Sequence, residues 1–101
     1  MDHQEELADN RPPLFTGNNY AFWIVRMRCH IMSLGCKIWS SVEKWYKIID
    51  NLPADRDELD KYESNAKSLN EILKGLANSV FFKVVQCKTT KHAWEKIKNC
   101  L

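Results

Sequence analysis

Leu14-Phe15-Thr16-Gly17-Asn18-Asn19-Tyr20-Ala21-Phe22-Trp23-Ile24-Val25-Arg26-Met27-Arg28-Cys29-His30-Ile31-Met32-Ser33-Leu34 is the segment around which the rest of the chain is organised. An apolar pair opens it, Gly17-Asn18-Asn19 supplies a turn signal, and no further breaker intervenes before Gly35. At about 100° of rotation per residue, Tyr20, Trp23, Ile24, Met27, Ile31 and Leu34 share one side, the width of a full core-facing stripe. The spacing predicts a helix that lays this arc on a core. Phe22, Val25, Cys29 and Met32 form a second apolar arc on nearly the opposite side, and Arg26, Arg28, His30 and Ser33 occupy the seams. A helix that is apolar on two faces is expected to be packed on both. The second neighbour is expected to be another protomer or a helix laid over the first.

Before this segment, Arg11-Pro12-Pro13 dictates an extended lead-in, because each proline fixes φ and biases its predecessor towards β or polyproline geometry. Leu14 and Phe15 are expected to tuck onto the core from it. Gly17-Asn18-Asn19 is expected to supply the turn and the N-cap of the first helix, and Gly35 its left-handed C-cap. A second helix is predicted over roughly 36–49, with Ile38, Trp39, Val42, Trp45, Tyr46 and Ile49 inward and Lys37, Ser40, Ser41, Lys44 and Lys47 outside. The run Asp50-Asn51-Leu52-Pro53-Ala54 breaks it.

A third helix is predicted over 55–76, where Leu59, Tyr62, Ala66, Leu69, Leu73 and Leu76 recur at helical spacing. Asp55, Asp57 and Glu58 sit at its start, where the helix dipole favours anions. Asn78-Ser79 is the expected cap of a short fourth helix over about 80–86, with Val80, Phe81, Val84 and Val85 on one side. Thr89 caps a last helix in which Ala93, Trp94, Ile97 and Leu101 face inward. The reading is therefore all-α, a compact bundle of about five helices with an extended N-terminal lead-in. Residues 1–13 are expected to be a flexible tail and 14–101 a helical domain. The chain stops on the last helix's apolar face without a C-cap, so a longer parent protein is expected.

A length of 101 residues is one domain's worth, and 45% hydrophobic residues suits a water-surrounded core. Fifteen Lys+Arg against 13 Asp+Glu leave a net charge of +2, too balanced to advertise nucleic acid or membrane by itself. No apolar run reaches the roughly 18 residues of a membrane span. The acidic opening Met1-Asp2-His3-Gln4-Glu5-Glu6 lacks signal-peptide character, so a cytoplasmic location is expected, with a nuclear one as the alternative. Cys29, Cys36, Cys87 and Cys100 lie far apart and read as buried or half-buried small hydrophobes.

The sequence offers little to a chemist. Three separated glycines make no phosphate loop, and no two Cys or His residues have zinc-ligand spacing. Cys29 and His30 are adjacent on a helix, so they point about 100° apart and cannot form a nucleophile–base pair by themselves. No catalytic residue, metal, cofactor or small-molecule substrate is expected. Lys83, Lys88, Lys91, Lys96 and Lys98 form a candidate phosphate-contacting group for RNA. Phe22, Val25, Cys29 and Met32, joined by Phe82, form the candidate protein interface.

The string Pro13-Leu14-Phe15-Thr16-Gly17-Asn18-Asn19-Tyr20-Ala21-Phe22-Trp23 resembles the P-x-F-x-G-x-N-Y-x-x-W opening of Gag polyproteins from plant copia-type LTR retrotransposons. The similarity continues through Arg26-Met27, Ile38-Trp39 and Val42-Glu43. It returns at Asn65-Ala66-Lys67-Ser68-Leu69-Asn70-Glu71-Ile72, similar to N-A-K-A-L-N-x-I, and at Cys87-Lys88-Thr89-Thr90-Lys91-His92-Ala93-Trp94, similar to C-x-T-A-K-E-A-W. Residues 13–101 are covered in order. The resemblance implies a fold like that of a capsid N-terminal domain, with Phe15, Tyr20, Trp23, Trp39 and Trp94 as aromatic pins. It implies no enzymatic activity and a role in self-association into a shell around the element's RNA. His92 replaces the acidic residue that would complete a capping box with Thr89, so that reciprocal cap is weakened. The Gag zinc knuckle and the protease and integrase signatures are absent from these residues. The leading expectation is a homo-oligomer, dimer or larger. The alternatives are an RNA-binding module using the C-terminal lysines, and a domesticated Gag-derived adaptor that binds another protein.

Overall fold

Trp23, Met27 and Ile31 lie on one side of the first helix, α1 (Tyr20–Leu34), and all three are fully buried. In the computed structural model, which describes residues 11–44 and 51–99, four more helices surround that stripe. They are α2 (Cys36–Glu43), α3 (Arg56–Lys74), α4 (Asn78–Val84) and α5 (Thr90–Lys98). Among the described residues the architecture is all-α, as the periodicity predicts. α2 packs chiefly on α3, α1 and α5, α3 also packs on α5, and α4 rests on α5.

The aromatic residues form a continuous chain through the core. Phe15 meets Trp23 at 5.2 Å between ring centroids, Trp23 meets Trp94 at 5.7 Å, and Trp94 meets Trp39 edge-on at 5.6 Å. These separations lie in the favourable range for ring pairs. The chain therefore ties the lead-in, α1, α5 and α2 to one another.

The lead-in is fixed by backbone chemistry. Phe15 N–H donates to the Gly75 carbonyl at 2.7 Å, and Ala77 N–H donates to the Phe15 carbonyl at 2.9 Å. Together they make an isolated parallel bridge between Phe15 and Leu76. The Trp23 indole N–H donates to the Pro13 carbonyl at 3.0 Å. Gly75 permits this close approach, since a Cβ there would meet Met27 Cε and lie 2.6 Å from the Pro13 carbonyl oxygen. Phe15 is buried as expected, whereas Leu14 is exposed, because an extended segment points alternate side chains to opposite sides.

Several sequence expectations are corrected. Asn19 occupies the N-cap position but gives α1 no side-chain cap. Its Oδ1 accepts from Thr16 N–H at 2.9 Å and its Nδ2 donates to the Leu14 carbonyl at 3.0 Å, so it holds the lead-in instead. Gly35 is not left-handed α: at φ 142° and ψ 150° it sits in a region essentially reserved for glycine. Both helices hang on that residue, whose N–H donates to Met32 O and whose carbonyl accepts from Ile38 and Trp39. α2 ends at Glu43, because Lys44 is extended. Trp45, Tyr46, Lys47 and Ile49 lie outside the described residues, as do Cys100 and Leu101. α4 begins at Asn78 with Ala77 as N-cap, about two residues earlier than the Asn78-Ser79 cap implies, and Val85 is exposed just beyond its end. Thr89 caps α5 as predicted, accepting from His92 N–H at 3.2 Å.

The largest correction concerns α3. Its buried side is Asn65, Ser68, Glu71 and Ile72, with Leu69 and Leu73 half-buried, while Tyr62 and Ala66 are exposed. Polar side chains take the core-facing row because each finds partners there, which removes most of the cost of burying them. Asn65 Oδ1 accepts from Thr90 N–H at 2.9 Å, Asn65 Nδ2 donates to the Lys88 carbonyl at 3.2 Å, and Ser68 Oγ lies 2.6 Å from Thr90 Oγ1.

Candidate interaction surface

α1 faces the core with Trp23, Met27 and Ile31, so helical geometry turns Phe22, Val25, Cys29 and Met32 to the outside. Phe22 is 64% exposed, Val25 49% and Met32 50%, and the Cys29 thiol is exposed beside them. Among the described residues no helix covers this face, so the expected helix laid over α1 is not found there. The Arg26 guanidinium lies 5.2 Å from the centre of the Phe22 ring, within cation–π range, and extends the patch with a positive edge. α1 contains no Asp or Glu.

Phe82 is 75% exposed, but it stands on α4, which rests on α5, and its ring meets Phe81 at 5.7 Å. It is a separate apolar feature. Of the sequence-predicted interface residues, the fold gathers the four on α1 and leaves Phe82 on another element.

The candidate lysines come from two helices and the loop between them: Lys83 is in the last turn of α4, Lys88 in the following loop, and Lys96 and Lys98 in the last turn of α5, all exposed. Cations in a last helical turn suit the helix dipole without any ligand. Lys91 Nζ pairs with Glu95 Oε2 at 3.1 Å.

Behind the outward face, α1 is tied to α3 by a polar contact that sequence reading did not foresee. His30 Nε2 lies 2.7 Å from Glu71 Oε1, and Lys74 Nζ lies 2.9 Å from Glu71 Oε2. A carboxylate only accepts, so the His30 nitrogen carries the hydrogen. Burial pushes the Glu71 carboxyl up. The hydrogen bonds from His30 and Lys74, with the charges of those two groups, outweigh that and hold it below the ordinary glutamate range. Tyr20 moves the other way, its phenol pushed up by burial.

Cys29 and Cys36 are exposed rather than buried, because they fall on the outward sides of α1 and α2, while Cys87 is buried as expected. Among the described residues no group of three or more His, Cys, Asp or Glu side chains is placed to hold a metal ion. None of the described helices is long and apolar enough to cross a membrane.

No protein-family model, curated protein or solved structure matches this chain.

Proposed function

We propose that this chain is a non-enzymatic, capsid-like helical module of the Gag kind, which self-associates through the outward face of α1. The observation that carries the reading is the contiguous exposure of Phe22, Val25 and Met32 on a helix whose other side buries Trp23, Met27 and Ile31 completely. Apolar patches rimmed by polar residues mark association surfaces, and an aromatic beside an arginine has the composition of an interface centre. The Gag resemblance along residues 13–101 supports the same reading.

Light scattering over a concentration series tests it, comparing the wild type with the double variant Val25→Asp, Met32→Asp. Wild-type mass is expected to rise with concentration while the variant stays monomeric. A wild type that remains monomeric at high concentration overturns the proposal.

The second reading, RNA binding through the C-terminal lysines, is favoured by the exposure of Lys83, Lys88, Lys96 and Lys98. It expects a gel shift with RNA that weakens as salt rises, through counterion release. Loss of that shift on Lys96→Gln with Lys98→Gln would support it, and absence of any shift would dismiss it.

A further inference from the structure

The extended lead-in runs beside α1, and an open cleft of about 910 Å³ lies between them. Pro12, Pro13 and Leu14 form one wall, Arg26, Cys29 and His30 the other, with Arg11 and Lys74 at the margins. Its size lies in the range of small-molecule sites, roughly 300–1,000 Å³. Among the described residues no carboxylate lines it. A smaller cleft of about 410 Å³ between α2 and α3 is different, since Lys37, Lys44 and Lys61 there share the lining with Asp57 and Asp60. In that cleft Lys37 is already paired with Asp60 at 3.1 Å.

Two cations of the larger cleft are held in place before any ligand arrives. Arg26 lies over the Phe22 ring at 5.2 Å, and Lys74 is anchored by Glu71 at 2.9 Å. Glu71 is itself buried and is also engaged by His30 at 2.7 Å, so it offsets part of the Lys74 charge and leaves Arg26 as the stronger cation of the cleft. A solvated helix face has mobile lysines without a wall. Here fixed cations stand against an apolar proline wall, which lowers the ordering cost of binding.

We infer that the cleft between the Arg11–Leu14 lead-in and α1 is a binding site for a phosphate-bearing anion, with Arg26 as principal contact and Lys74 in support. Phosphate suits it better than carboxylate does. A phosphate monoester concentrates about −1.5 to −2 charges and three acceptor oxygens in one compact group. The planar guanidinium of Arg26 can meet two of those oxygens at once. The phosphate could belong to a free oligophosphate or to a nucleic-acid backbone, and the two sources are separable by experiment.

The test is amide chemical-shift titration of the whole chain with two probes, inorganic tripolyphosphate and a ten-residue oligouridylate. Shifts are expected at Leu14, Arg26, Cys29, His30 and Lys74, with Arg26→Gln and Lys74→Gln each weakening binding by roughly five- to tenfold. Arg26→Lys keeps a charge at the same place and is expected to retain part of the affinity, and thermal melts confirm that each variant folds. Binding of tripolyphosphate identifies a free phosphate source, and binding of the oligonucleotide alone identifies a backbone source. The inference is overturned if neither probe binds at millimolar concentration. It is equally overturned if binding persists in both variants and is lost in Lys96→Gln with Lys98→Gln, or if a hexaglutamate peptide binds as tightly as the phosphate probes.

Discussion

Asn65 on α3 caps the start of α5 from outside: its Oδ1 accepts from the Thr90 backbone N–H at 2.9 Å, and its Nδ2 donates to the Lys88 carbonyl at 3.2 Å. The amide of one resemblance motif thus holds the turn of another. Asn65→Ala leaves a buried N–H and a carbonyl without these partners, a loss of about 2 kcal/mol. In a domain of this size that corresponds to a fall in Tm of roughly 8–16 °C. Asn65→Asp keeps the acceptor, loses the donor and buries a charge, so it is expected to be no better than alanine. Thermal melting of the three proteins checks this, and a melting point unchanged in Asn65→Ala would show the contact to be dispensable.

The junction at Gly75 gives a second expectation. A methyl group there would press on Met27 Cε and on the Pro13 carbonyl, 2.6 Å away. Methionine can move, but the Pro13 carbonyl is also held by the Trp23 indole. Gly75→Ala is therefore expected to cost about 1–3 kcal/mol and to loosen the lead-in. Hydrogen exchange reads this directly. The Phe15 and Ala77 amides, both bonded across the bridge, should exchange faster in the variant while amides of α5 hardly change.

Acid should weaken the link between α1 and α3. The folded-state pKa of Glu71 lies below its ordinary value of 4.5. The unfolded chain therefore binds the proton first as pH falls, and stability drops with it. The contribution of Glu71 is fully present above about pH 4.5 and is lost as pH falls through the lower folded value. Glu71→Gln removes it at every pH. The stability gap between wild type and Glu71→Gln, measured by urea unfolding, should be present above about pH 4.5 and should close as pH falls below the ordinary glutamate range. A gap that widened in acid would contradict the assignment.

How much of this was legible in sequence depends on what carries each feature. Trp23, Met27 and Ile31 were legible because burial on α1 follows hydrophobic period alone. Thr89 was legible because capping is local chemistry, complete within three residues. The inward side of α3 was not, because Asn65, Ser68 and Glu71 are buried by partners distant in the chain: Thr90 lies 25 residues after Asn65, and His30 lies 41 before Glu71. Hydrophobic periodicity counts such residues as outward. The exposed arc of α1 was readable from spacing, but the phosphate cleft was not. Arg11, Arg26 and Lys74 come from three segments distant in the chain, brought together by the Phe15–Leu76 bridge and the His30–Glu71 contact.

Salt separates the two kinds of binding proposed for this surface by sign. The charged side chains of α1 are Arg26 and Arg28, with no acidic residue on the helix. Two copies meeting through the Phe22–Met32 face would bring four guanidinium groups together with no carboxylate from either α1. That repulsion opposes association and is screened as ionic strength rises, since the Debye length falls from about 10 Å at 0.1 M to 3 Å at 1 M. Apolar burial is not screened. Self-association is therefore expected to tighten between 0.1 and 0.5 M sodium chloride, by roughly threefold or more. Phosphate or RNA binding must weaken over the same range. Sedimentation equilibrium at the two salt concentrations, with Arg28→Gln alongside, checks the sign. The variant should associate more tightly at low salt and respond less to added salt. Association that fell steeply with salt would mean that α1 meets an acidic surface of the next copy rather than a second α1.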